Sequence, residues 1–329
     1  MTRRPHLSVV LCTHNPAPAV LDEVLAALAG QFRPGAHELV IVDNASDSPL
    51  DLALPPPLDQ AAQQVREPMI GLTNARAAGV RAAQAPLLVF VDDDNVLAAD
   101  YLANAEAIAA ERGELGVFAG RAFGRFAAPP SWLHRPYLAC YAVRDLGDQP
   151  IEGPGGALAA WEPFGAGMGV RADIAAAFAD LNARFEAGAP LGRRADAVLS
   201  GEDSLFTLIA RRMGYRVAYR PELRLEHVIS RRRMSAGYLC KLLEAQGRAE
   251  ALLRGAQGDL APAAKPAPFA AFLARRFLSR LRHPGLHEAL THLYWDVGYF
   301  EERARLSEPP ARALAEALDA IGGDACDGL

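Results

Sequence analysis

Cysteine is scarce in this chain of 329 residues, and the four present, Cys12, Cys140, Cys240 and Cys326, stand far apart with no C-x-x-C pair. That excludes a zinc ribbon or a disulfide framework as the organising device and suits a reducing cytoplasm. Long apolar runs are missing too: nothing approaches the roughly 18 consecutive apolar residues of a membrane-spanning helix. The run "LSVVL" behind the basic N-terminus is shorter than the ~7–15 apolar residues of a signal peptide and reads as a strand. Positive charge is not in excess either. The formal net charge is −5, with acids and bases intermixed, so nucleic acid is not an expected partner. There is no repeat of fixed period. There is also no G-x-x-x-x-G-K-[ST] segment, which disfavours a P-loop ATPase.

What is present is globular in kind, 51% hydrophobic and 22% charged, and long enough for one large α/β domain with an appendage or for two domains. Three runs, "LSVVL" (7–11), "ELVIV" (38–42) and "LLVFV" (87–91), are continuously apolar and β-branched, as strands buried on both faces of a parallel sheet must be. Helix-like segments precede the second and third, "PAVLDEVLAALAG" and "GLTNARAAGVRAAQA". Each strand ends in polar residues, "CTHN", "DNASD" and "DDDN". Ligands of open parallel sheets bind beyond the carboxyl ends of the strands. If these strands are neighbours, Thr13 and Asn15, Asp43 and Asn44, and Asp92 to Asp94 converge on one crevice.

Further along, a helix is expected over about Ala98–Glu111 and strand material in "LGVFAGRAFGRF". The Pro-, Gly- and aromatic-rich stretch from Ala127 to Gly169 reads as loops of the kind that carry acceptor sites or lids. "SGEDSLFTLIARRMGY" has the punctuation of a helix, with Ser200 as N-cap, acids in the first turn, Arg211 and Arg212 in the last, and Gly214 beyond. "RVAYRPELRLEHVI" reads as strand, turn, strand. A boundary near 258 separates a domain of residues 1–258 from residues 259–329, a linker "DLAPAAKPAPF" followed by amphipathic helices. "FAAFLARRFLSRLRH" pairs apolar residues with four arginines. Packing onto the larger domain or a partner subunit is its expected use, and an anionic membrane surface is the alternative.

The densest chemistry is in "FVDDDN". Adjacent carboxylates repel, so a positive partner is expected there. On an extended chain alternate residues project the same way, which aims Asp92 and Asp94 at one ligand and turns Asp93 aside. Carboxylate oxygens without nearby sulfur suit a hard cation such as Mg²⁺ or Mn²⁺. The plain alternative is a solvated acidic loop ahead of the helix starting near Ala99. "GAGMG" (165–169) is not a dinucleotide fingerprint, because it follows "WEPF" rather than an apolar strand and Val170 stands where the last glycine belongs.

In order and spacing, "LSVVLCTHN", "ELVIVDNASD", "GLTNARAAGV", "LLVFVDDDN", "GEDSLFTLIARRMGYRVAYRP" and "LEHVI" resemble the successive blocks of the family-2, inverting, GT-A-fold glycosyltransferases. The resemblance implies a Rossmann-like, mostly parallel sheet flanked by helices, with a C-terminal helical extension. It implies that Thr13 and Asn15 hold the donor nucleotide, that Asp43 meets the base, and that Arg76 contacts base or phosphates. Asp92 and Asp93 would belong to the donor block, with Asp92 near the ribose. Asp94, together with Asp92, would hold Mn²⁺ or Mg²⁺, with His227 completing the metal site. Arg231 and Arg233 fall in a segment whose basic groups meet the diphosphate.

Asp203 matches the catalytic base of that family, with Glu202 beside it shaping the acceptor site. Gly167 departs from the asparagine often found in the glycine-rich acceptor block. The implied reaction moves a sugar from a nucleotide-diphosphate donor, a UDP-sugar by preference, to a saccharide or lipid-linked saccharide. It would take place in the cytoplasm or at the inner face of its membrane.

Simpler readings stand beside these. They are an Asx-turn for Asp43, a surface helix position for Arg76, helix-dipole compensation for Glu202 and Asp203, a structural role for His227, and a solvated turn for the arginines. A nucleotidyltransferase acting on a sugar phosphate is a rival, though "CTHNPAPAV" lacks the Gly- and basic-rich phosphate loop it would need. A nucleotide- or glycan-binding relative without turnover is another.

Overall fold

The computed structural model describes residues 4–154, 159–185, 201–263, 268–281 and 286–326. Its strands are β1 (Leu7–Thr13), β2 (His37–Asp43), β3 (Ala62–Arg66), β4 (Leu87–Asp92), β5 (Asn95–Leu97), β6 (Leu115–Phe126), β7 (Ile151–Gly153), β8 (Gly169–Arg171) and β9 (Arg216–Ile229). Among the described residues they form a single sheet in the order β3-β2-β1-β4-β8-β6-β9-β5, with β7 also on β9. β1 to β4 are mutually parallel, β8 runs antiparallel between β4 and β6, and β6 and β9 are parallel again. The three apolar runs are therefore adjacent in space. Thr13 stands level with Asp43, and Cys12 with Asp92.

Alternate residues of each central strand feed different cores. Leu7, Val9 and Leu11 of β1 pack with Leu21, Val24 and Leu28 of α1 (Pro18–Ala29) and with Leu102 and Ile108 of α3 (Tyr101–Glu111). Val10 and Cys12 face α2 (Leu72–Ala82), α4 (Ala172–Ala183) and α5 (Glu202–Arg212), where Phe178 and Phe206 stack with ring centroids 3.9 Å apart. With both faces covered by helices, a polar residue enters these strands only with partners, as buried Ser8 does by donating to Glu38 and accepting from the Ala85 amide. α2 lies directly on the sheet because Gly79 has no side chain. A Cβ there would come within 2.3 Å of Val10 Cγ1.

Several expectations change. The acidic block is not extended, since Asp93 and Asp94 form a turn between β4 and the short strand β5, and the helix begins at Tyr101 rather than near Ala98 or Ala99. "RVAYRPELRLEHVI" is one strand, not two. Between Ala119 and Arg121 the β6–β9 register slips, and Gly120 alone faces Arg220 to Leu223. Its bare α-carbon permits this, because a Cβ would lie 2.0 Å from the Leu223 carbonyl oxygen. α5 is preceded by Gly201, in the left-handed region at φ 105°, and Ser200 lies outside the described residues.

Among the described residues the longest helix is α6 (Ala236–Ala256), an element that the sequence patterns above do not mark. It packs against α8 (Leu286–Arg305), and α9 (Pro309–Cys326) covers α5 and α6. Leu314 and Leu318 of α9 enter the same core as Val10 and Phe206. α7 (Phe269–Arg280) leans on α8 through an edge-to-face contact of Phe272 and Phe300. The α6–α8 crossing is backbone to backbone. A Cβ at Gly247 would stand 2.2 Å from the Trp295 carbonyl oxygen, and one at Gly298 2.0 Å from that of Glu244. Among the described residues no helix is long and apolar enough to cross a membrane.

Candidate active site

A cavity of about 720 Å³ opens at the carboxyl ends of β1 and β4 and extends beneath α6. All three acids of the "DDD" turn line it, as do Thr13, Arg76, Glu202, Asp203, His227 and Arg233. The sequence candidates are thus largely brought together. Asn15, Asp43 and Arg231 are not part of the lining. Asn15, at φ 49°, ties its loop to the next through Asp47, and Asp43 accepts hydrogen bonds from the Ser46 amide and from Arg66. Asn44 takes the wall position beside Asp43, its side chain held by the Met69 carbonyl and the Gly71 amide.

Each acid of the turn has its own partner. Asp92 Oδ1 accepts from Arg76 Nη2 at 3.4 Å. Asp93 accepts from the Thr13 hydroxyl, so it faces the end of β1 instead of turning away from the ligand. Burial pushes the Asp93 carboxyl up to about 7, and neighbouring Asp94 adds to the shift. Asp94 Oδ2 meets His227 Nε2 at 3.3 Å and Arg233 Nη1 at 3.0 Å. The turn geometry explains the divergence. Two-residue alternation holds on a strand, and a turn at Asp93 and Asp94 breaks it.

Arg76 is the least expected of these residues. It is 1% exposed, and its other terminal nitrogen, Nη1, lies 3.4 Å from Glu202 Oε1. The surface-helix reading fails, because α2 sits so close to β1 that the side chain runs under the strand end. Its charge offsets one acid from each of the two blocks. The glycine-rich segment presses on the same group, since a Cβ at Gly165 would stand 2.4 Å from Arg76 Nη2. The amide of Gly165 in turn donates to Asp203 Oδ2 at 3.2 Å. Asp203 Oδ1 accepts from the Ser204 amide in the first turn of α5, where the positive end of the helix favours a carboxylate. Gly167 has φ 70°, in the left-handed region that favours glycine and that asparagine tolerates better than most residues.

The far end of the cavity was not foreseen. Gln246, Glu250 and Leu253 project into it from one face of α6, at intervals of four and three residues, and Trp295 of α8 closes the wall. Glu162 joins them. Burial holds its carboxyl near 7, and Thr207 donates to it at 3.3 Å. Arg144 stacks over Phe164 at 3.9 Å and donates to the Glu162 carbonyl, which fixes this loop. No local pattern marks Trp295 or Glu162, because both enter the site only through tertiary packing.

A divalent ion fits the Asp94–His227 pair. Two donors 3.3 Å apart match adjacent ligands of an ion bound at about 2.1 Å, which are themselves about 3 Å apart. Among the described residues no three His, Cys, Asp or Glu side chains converge as a metal cage. Such an ion would take its remaining ligands from phosphate oxygens and water, the usual arrangement where a metal carries a substrate.

Residues 8–148 match the family model described as glycosyl transferase family 2. An N-acetylglucosaminyltransferase of Mesorhizobium japonicum is 27% identical over 234 residues, 66% of this chain and 50% of that protein. The chain therefore spans half the length of that relative. Among solved structures, GalNAc-T7 with UDP, GalNAc and Mn²⁺ aligns over 78% of this chain and 51% of its own, with 13% identity and a TM-score of 0.47. The mannosyltransferase PcManGT of Pyrobaculum calidifontis, with GDP-Man and Mn²⁺, aligns over 100% of this chain and 77% of its own, with 19% identity and a TM-score of 0.42. Both likenesses are too loose to carry a ligand across.

Proposed function

We propose, from the premise that residues 8–148 belong to glycosyl transferase family 2, that this protein is an inverting glycosyltransferase. It would move a sugar from a nucleotide-diphosphate donor, by preference a UDP-sugar, to a hydroxyl of a saccharide or lipid-linked saccharide. The observation that carries the reading is the joint presence, in one cavity, of the Asp94–His227 pair and Asp203.

An acceptor hydroxyl is a weak nucleophile until its proton is being removed, and Asp203 is the group assigned to that removal. The Gly165 and Ser204 amides hold both of its oxygens, so the carboxylate is oriented before any acceptor arrives. Asp92, Thr13 and Asn44 are assigned to the donor's nucleoside half, with Asp43, Asn15 and Asp93 supporting them. Asp94 and His227 would hold Mn²⁺ or Mg²⁺, which when bound supplies positive charge to the leaving diphosphate. Arg233, with Arg231 nearby in the chain, is assigned to the same phosphates. Attack from the Asp203 side and departure on the Asp94 side would place the two partners on opposite faces of the sugar, as a single inversion requires.

The acceptor is assigned to the far lobe under α6. An indole beside Gln246 and Glu250 suits a sugar ring, which has an apolar face and polar edges. Contact of residues 259–329 with a membrane is a separate part of the proposal, testable by co-sedimentation of the full chain with anionic vesicles.

The central experiment is a donor screen by nucleotide release with Mn²⁺ and with Mg²⁺. An N-acetylglucosaminyl donor comes first, because the Mesorhizobium relative is so named. One donor is expected to be hydrolysed faster than the rest, and only with metal. Absence of metal-stimulated release from every nucleotide sugar would overturn the reading.

A further inference from the structure

Arg233 Nη1 lies 3.0 Å from Asp94 Oδ2 and 3.0 Å from His227 Nε2, the same two atoms that face each other at 3.3 Å. A guanidinium can only donate, so in its contact with Arg233 the Nε2 atom acts as the accepting nitrogen of the imidazole. The lone pair aimed at Arg233 is therefore the one a metal would use. A positive group already stands where the two candidate ligands point.

We propose that Arg233 is a tethered cation that holds the divalent-ion position at Asp94 and His227 in the donor-free protein and is exchanged for the ion when metal and nucleotide arrive together. The inference rests on the assignment of Asp94 and His227 as ion ligands. Its support is local. The backbone of Arg233 is fixed, with its amide donating to the Ser230 carbonyl at 3.1 Å and its carbonyl accepting from the Tyr141 hydroxyl at 3.2 Å. Ser235 then caps α6 two residues on. Exchange therefore needs only a side-chain rotation. Two nitrogens of the same guanidinium, Nε and Nη2, are buried without a hydrogen-bond partner. Buried donors of this kind are costly to leave unpaired, and diphosphate oxygens would satisfy them.

Two properties follow. A metal ion on its own must displace a charge that is covalently attached and always present, so its apparent affinity is its intrinsic affinity scaled by the fraction of protein whose site is open. A nucleotide diphosphate draws the guanidinium to itself and so favours metal binding, and by linkage the metal favours the nucleotide to the same degree. The exchange also keeps the acidic turn neutralised in both states.

The test is titration of the full-length protein with Mn²⁺ alone, read by loss of the free-ion electron paramagnetic resonance signal, with no turnover involved. Arg233→Ala and Arg233→Gln should bind Mn²⁺ about tenfold more tightly than the parent, within the usual range for coupled sites. Arg233→Lys should stay close to the parent, and Asp94→Asn should bind only at background. Adding UDP should strengthen Mn²⁺ binding strongly in the parent and weakly in Arg233→Gln. The proposal is overturned if both neutral variants bind Mn²⁺ no better than the parent, or if UDP helps all variants equally. Near-UV circular dichroism identifies a misfolded alanine variant, in which case the glutamine variant decides. Because the Mn²⁺ titration needs no sugar donor, failure of the transferase reading in the donor screen would leave this result standing, and the reverse also holds.

Discussion

Arg76 Nη1 stands 3.4 Å from Glu202 Oε1 although 126 residues of chain separate them, and Nη2 of the same guanidinium reaches Asp92 at 3.4 Å. One buried cation thus ties the acidic turn after β4 to the helix that carries Asp203. The two halves of the proposed reaction share a structural member.

Removing that cation takes from Asp92 and Glu202 the one guanidinium that both of them contact. Arg76→Met should destabilise the protein by about 3–5 kcal/mol, the cost of breaking a buried charge group from one side. Arg76→Lys should recover only part of this, because a point charge cannot span both acids as a planar guanidinium does. Chemical denaturation measures both. Equal stability of Arg76→Met and the parent would mean that the three groups are not coupled.

The two acidic blocks should separate in function. Asp203→Asn should cut transfer by about 10²–10⁴-fold while leaving UDP affinity in the presence of Mn²⁺ unchanged. Asp94→Ala should lose both. Calorimetric titration of UDP with and without Mn²⁺, alongside turnover, reads the difference. Full activity in Asp203→Asn would remove it as the base.

Asp93 sets a pH dependence in the metal-free protein. Its carboxyl titrates near 7 when folded, through burial first and the Asp94 charge second, against about 4 in an unfolded chain. The unfolded chain therefore releases this proton first, so stability should fall as pH rises from about 4 to about 7 and level off above. Asp93→Asn, which can still accept from Thr13, should flatten that part of the profile and be the more stable protein at pH 8. Thermal melts across pH decide, and parallel profiles for the two proteins would refute the assignment.

The α6–α8 crossing admits no side chain. Gly247→Ala and Gly298→Ala should each lower stability by about 1–3 kcal/mol, since each forces two backbones apart. The double variant should cost less than the sum, because the first substitution already opens the gap. A strictly additive pair would show that the two contacts are independent.

The parallel core was legible in the sequence because burial on both faces leaves an unbroken apolar run, and the polar ends of three such runs marked the crevice. Short-range reasoning failed where geometry changed within two residues. Asp93 was assigned by strand alternation, but it lies in a turn. β5 is three residues long and held by β9, a partner more than a hundred positions away, so no local period could show it. Arg76 stands out in the sequence only through the family resemblance, as a base or phosphate contact, and its burial between Asp92 and Glu202 follows from α2 lying close on the sheet at Gly79. Trp295 and the α6 stripe are cavity lining only because two glycines bring the C-terminal helices into contact. A sequence pattern reports which face is apolar, not what lies opposite it.

Gly120 takes no part in binding or chemistry, yet it governs the stagger between β6 and β9 and so how far along the sheet His227 stands. A chain that kept every acid, arginine and histidine of the site but carried alanine at 120 would hold the right groups out of alignment. Judged by its site residues alone, such a chain would seem intact and its inactivity would have no visible cause.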